Sequence, residues 1–239
     1  MKIVFTNKIY FSILFFIFLS LDIYVKLNLE AVPYRLITKP LIVLSLLYFF
    51  IVNNSKTQEK WHYIIVALLS FLIGDILLIF YKIIPIYILG LILLMIGKLC
   101  YAKCFSNERD FNVFKLLPFF ILCFAYMVFI MVLVLNKLGA FFFPTLLYLF
   151  SCLIVMLFAY LRKGDVNKRS YYTVLIGVTF AILCDSISVI QSFYYEEFPY
   201  QKFLIMLFYG LSQYFIIMGL VEEKSKEKSK AIKRDVILS

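Results

Sequence analysis

Histidine is nearly absent: the 239 residues hold one, His62. A hydrolase that grips zinc through three histidines is therefore excluded. A Ser–His–Asp triad would have to use His62, which sits at the edge of an apolar run, and no Gly-x-Ser-x-Gly turn offers a nucleophile. Gly-rich phosphate loops are missing as well. Charge is thin, at 16% of residues, where a soluble domain carries about a quarter. The five cysteines, Cys100, Cys104, Cys123, Cys152 and Cys184, are odd in number and lack the spacing of a disulfide framework. They lie in or beside apolar runs and read as packing residues. Cys100 and Cys104 share a helix face, but no His stands near to complete a metal site. No metal and no cofactor is expected.

What remains is oil. Hydrophobic residues make up 64% of the chain, and its mean hydropathy is +0.97. Eight apolar runs follow one another, at about 9–27, 38–53, 61–81, 83–102, 114–135, 140–161, 171–192 and 200–221. Each suffices, as a helix, to cross a hydrocarbon core of roughly 30 Å. Barrel strands alternate apolar and polar residues; these runs are apolar all round. The fold class is all-α: a polytopic membrane protein of eight transmembrane helices. Residues 1–223 form one membrane domain and 224–239 a basic tail. Pro33, Asn53-Asn54-Ser55-Lys56, Pro85, Arg109-Asp110, Arg162-Lys163-Gly164-Asp165 and Pro199 mark the short loops. Trp61, Tyr63, Tyr81, Tyr171, Tyr172, Tyr194 and Tyr195 sit where a span meets the interface.

The net charge of +10 follows this topology and does not call for a nucleic-acid partner. With eight spans both termini share one side. That side carries 17 Lys and Arg, the other 6, and Lys98 lies inside a span. The positive-inside rule then puts both termini in the cytoplasm, and the expected site is a bacterial inner (plasma) membrane. Lys2 and Lys8 before an apolar stretch mimic a signal peptide. No small-x-small cleavage site follows, so the stretch reads as a retained first span. The tail EEKSKEKSKAIKR reads as a solvated segment touching anionic lipid.

Asp22, Asp75, Lys98 and Asp185 fall within spans, and Lys39 sits at the mouth of the second. A carboxylate near a span centre costs about 2.5–3.5 kcal/mol, so such residues face the bundle interior. There they serve as helix glue or as a working site. Spans 3 and 7 run in the same direction. Asp75 and Asp185 each lie three or four residues past the middle of their span, about 6 Å outward at 1.5 Å per residue. Asp22 falls at a similar level. The three acids are expected in one outward-displaced cavity. SFLIGDILLI and FAILCDSISVI also resemble each other four spans apart, as a four-plus-four duplication would require. On span 7, Gly177, Ala181, Asp185, Ser188 and Ser192 share a stripe. Span 4 offers Gly90, Gly97, Lys98 and Tyr101; span 8 offers Tyr209, Ser212 and Gln213. Two close acids in low dielectric share one proton, giving an acid and a base.

These residues carry a resemblance. Lys39-Pro40-Leu41, Gly74-Asp75, Gly90-Leu91 with Tyr101, Gly177, Phe180, Asp185-Ser186, and Tyr209 with Gln213 come in an order that resembles the YhhN family of membrane lysoplasmalogenases. The resemblance implies hydrolysis of the vinyl ether of a lysoplasmalogen to a fatty aldehyde and a glycerophospho-base. It implies Asp75 and Asp185 as the acid–base pair. Lys39, Lys98, Tyr101, Ser186, Tyr209 and Gln213 are the implied substrate contacts, with Lys39 at a helix start holding the phosphate. The implied partners are a lysophospholipid and membrane lipid. The chain departs from the family in carrying Lys98 where a His is usual, Leu94 near a usual Phe, and Cys184 where Ser is common. Two other readings stand beside the enzyme. One is a proton-coupled transporter of a small molecule or lipid, with midplane acids at a repeat interface. The other is a noncatalytic lipid-binding protein whose acids only hold helices together.

Overall fold

The computed structural model describes residues 2–30, 32–53, 60–106, 113–193 and 200–223. A short helix, α1 (Lys2–Thr6), precedes eight helices long and apolar enough to cross a membrane. These are α2 (Lys8–Asn28), α3 (Arg35–Asn53), α4 (Trp61–Leu77), α5 (Ile84–Phe105), α6 (Val113–Leu138), α7 (Phe142–Leu161), α8 (Lys168–Phe193) and α9 (Gln201–Val221). A tighter turn, Leu78–Phe80, extends α4. No strand occurs among the described residues. The eight helices answer the eight apolar runs, and no end moves by more than three residues. Asn54-Ser55-Lys56, Arg109-Asp110, Tyr194, Tyr195, Pro199 and the tail 224–239 lie outside the described residues.

Both faces of these helices are apolar because both meet apolar surroundings. Inner faces pack on one another: Phe11, Phe15, Phe49 and Phe50 are fully buried, and the Phe11 and Phe49 rings stack 3.9 Å apart. Outer faces keep large apolar side chains such as Ile13, Ile17, Phe129 and Val132, which is the pattern that a hydrocarbon solvent permits.

Two helix pairs pack most extensively, α4 with α5 and α8 with α9. Glycines allow it. A methyl on Gly74 would meet Leu94 Cδ2 at 3.0 Å and the Gly90 carbonyl oxygen at 3.1 Å. A methyl on Gly177 would stand 2.8 Å from the Ile216 backbone nitrogen. The two pairs lie four helices apart in sequence. The remaining contacts largely respect that interval: α2 packs on α3 as α6 on α7, α3 on α4 as α7 on α8, and α9 on α3 as α5 on α7. The correspondence breaks at the periphery, where α2 leans on α9 but α6 leans on α8.

The end where α2 begins and α9 finishes is tied by charge. Lys8 Nζ lies 2.7 Å and Arg169 Nε 3.0 Å from Glu222, and Arg162 Nη2 lies 3.0 Å from Glu223. The Ser170 hydroxyl donates to the Gly219 carbonyl at 2.6 Å. These contacts join α2, α7, α8 and α9. The opposite end is where the internal cavity lies.

Candidate functional site

Four charged side chains within the bundle form two ion pairs. Lys39 on α3 reaches Asp75 on α4, Nζ to Oδ1 2.9 Å. The Tyr209 hydroxyl, from α9, donates to the other oxygen of Asp75. Lys98 on α5 reaches Asp185 on α8, Nζ to Oδ2 2.6 Å. The Tyr148 hydroxyl, from α7, donates to Asp185 Oδ1 at 2.6 Å. Each carboxylate thus takes one ammonium and one phenol. Lys98 Nζ also stands 3.7 Å from the centroid of the Tyr148 ring, and Cys152 Sγ donates to Asp185 Oδ2 at 3.2 Å. All four charged residues are buried. A lone buried carboxylate would be expensive; a paired one with its lone pairs filled is tolerated.

The two clusters are related by the four-helix interval. The first draws on α3, α4 and α9. Moving each helix by four gives α7, α8 and α5, which are the helices of the second. Asp75 maps to Asp185. Lysine and tyrosine change places: α3 gives Lys39 where α7 gives Tyr148, and α9 gives Tyr209 where α5 gives Lys98. Between the clusters, the Tyr101 hydroxyl on α5 donates to Gln213 Oε1 on α9 at 2.9 Å. That bond joins two equivalent helices.

One cavity of about 250 Å³ takes in both clusters. This is near the low end of ligand-site volumes. Its polar lining includes Lys39, Asp75 and Tyr209, Lys98, Asp185 and Tyr148, and Tyr101 with Gln213. Its apolar lining includes Phe71, Leu91, Leu94, Val155, Val178 and Ile216. It extends to Lys26, Arg35, Tyr87 and Ser192, toward the end opposite the termini. On α8 the residues Ala181, Asp185, Ser188 and Ser192 face it together. Gly177, on the same stripe, serves close packing against α9 instead.

Some expected placements change. Asp22 does not line the cavity: it is fully buried, accepts from the Thr38 hydroxyl at 2.5 Å, and lies 3.9 Å from Arg35 Nε. Ser186 lies beside Asp185 in sequence but not in direction. It accepts from the Tyr126 hydroxyl on α6 at 2.8 Å and is absent from the cavity lining. A helix turns about 100° per residue, which suffices to part the two. Lys39 is not at a helix start. α3 begins at Arg35, so Lys39 is one turn inside, and Arg35 occupies the opening turn. Two carboxyls share a proton when each is the other's nearest charge; here an ammonium is nearest to each. Tyr148 and Cys152 were not among the expected site residues. Their four-residue spacing on one face of α7, with Thr145 one turn earlier, is the signal that could have found them. His62 is exposed at the start of α4 and takes no part. Among the described residues no cluster of His, Cys, Asp or Glu has the makings of a metal site.

Fold and site together define a multi-pass membrane protein with paired charges gathered in an internal cavity. The chain belongs to the YhhN family, whose model matches residues 34–220. No curated protein and no solved structure matches it.

Proposed function

We propose that the protein is a membrane hydrolase that cleaves the vinyl ether of lysoplasmalogen-type lysophospholipids. Family membership is consistent with this reading. The observation that carries it is the presence of Asp75 and Asp185 in the lining of one largely apolar cavity. A vinyl ether is cleaved by protonating its β-carbon. The resulting oxocarbenium ion takes up water at the carbon bearing oxygen, and the hemiacetal collapses to a fatty aldehyde and an alcohol, here the glycerophospho-base. One carboxyl delivers the proton; the other, as the carboxylate, stabilises the cation and accepts a proton from the attacking water. Tyr209 and Tyr148 orient the two carboxyl groups. Tyr101 and Gln213 are proposed contacts to the substrate's polar part. The apolar wall takes carbon chain and keeps bulk water from the cation. A substrate that is itself a membrane lipid suits a cavity lined by spanning helices. The excess of Lys and Arg on the side of the termini supports a cytoplasmic location for both, which turns the cavity's Lys26–Arg35 end toward the opposite face.

The test is aldehyde release from a lysoplasmalogen by purified protein in detergent. Release from the vinyl ether, and none from the saturated ether analogue, is the expected result. No release from well-folded protein overturns the reading. A proton-coupled transporter is the second reading, and the matched Lys–Asp–Tyr clusters at a repeat interface favour it. Substrate uptake into proteoliposomes without aldehyde formation would establish that one.

A further inference from the structure

The cavity holds more positive charge than its two ion pairs use. Its lining contains four cations, Lys26, Arg35, Lys39 and Lys98, and two carboxylates, Asp75 and Asp185. Lys39 and Lys98 are matched to those two acids. The remaining cations lie at one end of the cavity. Arg35 is in the opening turn of α3 and Lys26 in the closing turn of α2, so the α2–α3 turn carries both. Asp22 is a loose partner for Arg35, at 3.9 Å from Nε, and the Arg35 Nε is buried without a hydrogen-bond acceptor among the described residues. The Arg35 Nη2 contact is to the thioether sulfur of Met206, at 3.4 Å, which satisfies little of a guanidinium. Lys26 has no carboxylate within ion-pair distance among the described residues. Glu30, one turn further on, is exposed and does not line the cavity. Lys26 and Arg35 thus bring more hydrogen-bond donors to this end than the single carboxylate of Asp22 can accept. Lys39 projects from the same helix as Arg35, four residues on, and so from the same face.

We propose that Lys26 and Arg35, with Lys39 behind them, form a seat for the phosphate diester of a lysophospholipid. The proposal rests on the hydrolase reading and adds to it where the head group lies. A guanidinium whose Nε–H lacks an acceptor, with a lysine beside it, is the kind of partner that a phosphate takes strongly. With the phosphate there, the glycerol carbons lead toward Lys39 and Asp75. The linkage to be cleaved then enters the cavity between the two carboxylates.

The test uses probes that cannot be cleaved, so it does not depend on turnover. A radiolabelled 1-O-alkyl lysophosphatidylcholine and the matching 1-O-alkylglycerol, which lacks phosphate, are bound to protein in nanodiscs. The wild type is expected to prefer the phosphate probe by at least about tenfold. Lys26→Gln and Arg35→Gln should each erode that preference, and the double variant should bind both probes alike. Arg35→Lys should keep part of it. Equal binding of the two probes by wild type overturns the seat. So does an unchanged preference in Lys26→Gln, which has no ion-pair partner to strand and should fold as wild type does. Inorganic phosphate separates a lipid head group from a free anion. If it binds while the wild type ignores the lipid phosphate, the head-group assignment falls. If aldehyde release fails but the preference and its loss are seen, the hydrolase reading falls and the seat stands.

Discussion

Asp75 and Asp185 have the same partners by type and opposite partners by position. Asp75 takes its lysine from α3 and its tyrosine from α9. Asp185 takes its lysine from α5 and its tyrosine from α7. Under the four-helix interval the lysine sites and tyrosine sites exchange. The two halves exchange these sites while each cluster keeps one lysine, one aspartate and one tyrosine. The constancy teaches what each position requires: a carboxyl group in apolar surroundings takes one cation and one further donor. Which helix provides them is free. The clusters also differ. The second is tighter, with a thiol added by Cys152 and its ammonium lying over the Tyr148 ring. The first lies next to the unmatched cations of the α2–α3 turn. One cluster is closed on itself and the other adjoins a place for an anion.

If both carboxyls do chemistry, the comparison should survive their loss symmetrically. Asp75→Asn and Asp185→Asn are each expected to lower aldehyde release by about 10²–10⁴-fold, the range of acid–base catalysis, with the protein still folded by size-exclusion profile. Strong residual activity in one variant alone would break the equivalence and leave that carboxyl a structural role.

The lysines probe the same comparison through stability. Lys98→Ala strands Asp185 among Tyr148 and Cys152. Lys39→Ala strands Asp75 beside a site that still has Arg35 and Lys26 near its mouth. Breaking a buried pair from one side typically costs about 3–5 kcal/mol. Lys98→Ala should reach that range, and Lys39→Ala should fall short of it. Thermal unfolding midpoints in one detergent would rank them. Removing both charges, Lys98→Met with Asp185→Leu, should recover much of the loss, since no orphan charge remains. Equal losses for the two lysines would mean that the neighbouring cations give Asp75 no shelter.

The spans were legible in the sequence because an apolar run has few other fates, and polar breaks such as Arg162–Asp165 divide one from the next. The two central carboxylates were legible because charge is rare and costly there. Their partners were legible only in part. Lys39 and Lys98 stood out as charges, and Tyr101, Tyr209 and Gln213 as polar side chains within spans that the family pattern also marks. Tyr148 did not stand out, because a tyrosine within TLLYLF reads as one more large apolar side chain; its hydroxyl acquires meaning only when α8 places Asp185 against it. Asp22 was misjudged because depth along the membrane is one coordinate, and it says nothing about the direction of a side chain around its helix. Ser186 came from the family pattern, which gives order along the chain and not direction around α8. Lys26 and Arg35 did not stand out, because each lies at the end of a span, and α3 starts three residues earlier than the hydropathy pattern showed.

The two tight helix pairs give a further comparison. Alanine at Gly177 drives a methyl against the Ile216 backbone nitrogen at 2.8 Å, and backbone yields only if α9 moves. Alanine at Gly74 meets Leu94 Cδ2 at 3.0 Å, the end of a side chain, and the Gly90 carbonyl oxygen at 3.1 Å. Overpacking usually costs about 1–3 kcal/mol. Gly177→Ala should lie at the upper part of that range and Gly74→Ala at the lower. A reversed order of unfolding midpoints would mean that α4 and α5 form the stiffer pair.

The smallest effect separates neighbours in sequence that part in space. Tyr126 on α6 touches Ser186, which the family pattern marks and the cavity lining omits. Tyr126→Phe removes one hydrogen bond between α6 and α8 and leaves the ring in place. The expected cost is about 0.5–1.5 kcal/mol, with the Michaelis constant and turnover for the lysoplasmalogen unchanged. The buried Ser186 hydroxyl keeps its donation to the Ile182 carbonyl at 2.8 Å, so no polar group is stranded. A shift in the Michaelis constant, with stability unchanged, would mean that the α6 side of α8 communicates with the substrate after all. In that case Asp185-Ser186 acts as a unit, and the difference between the two clusters extends to α6, which packs on α8 where its counterpart α2 packs on α9.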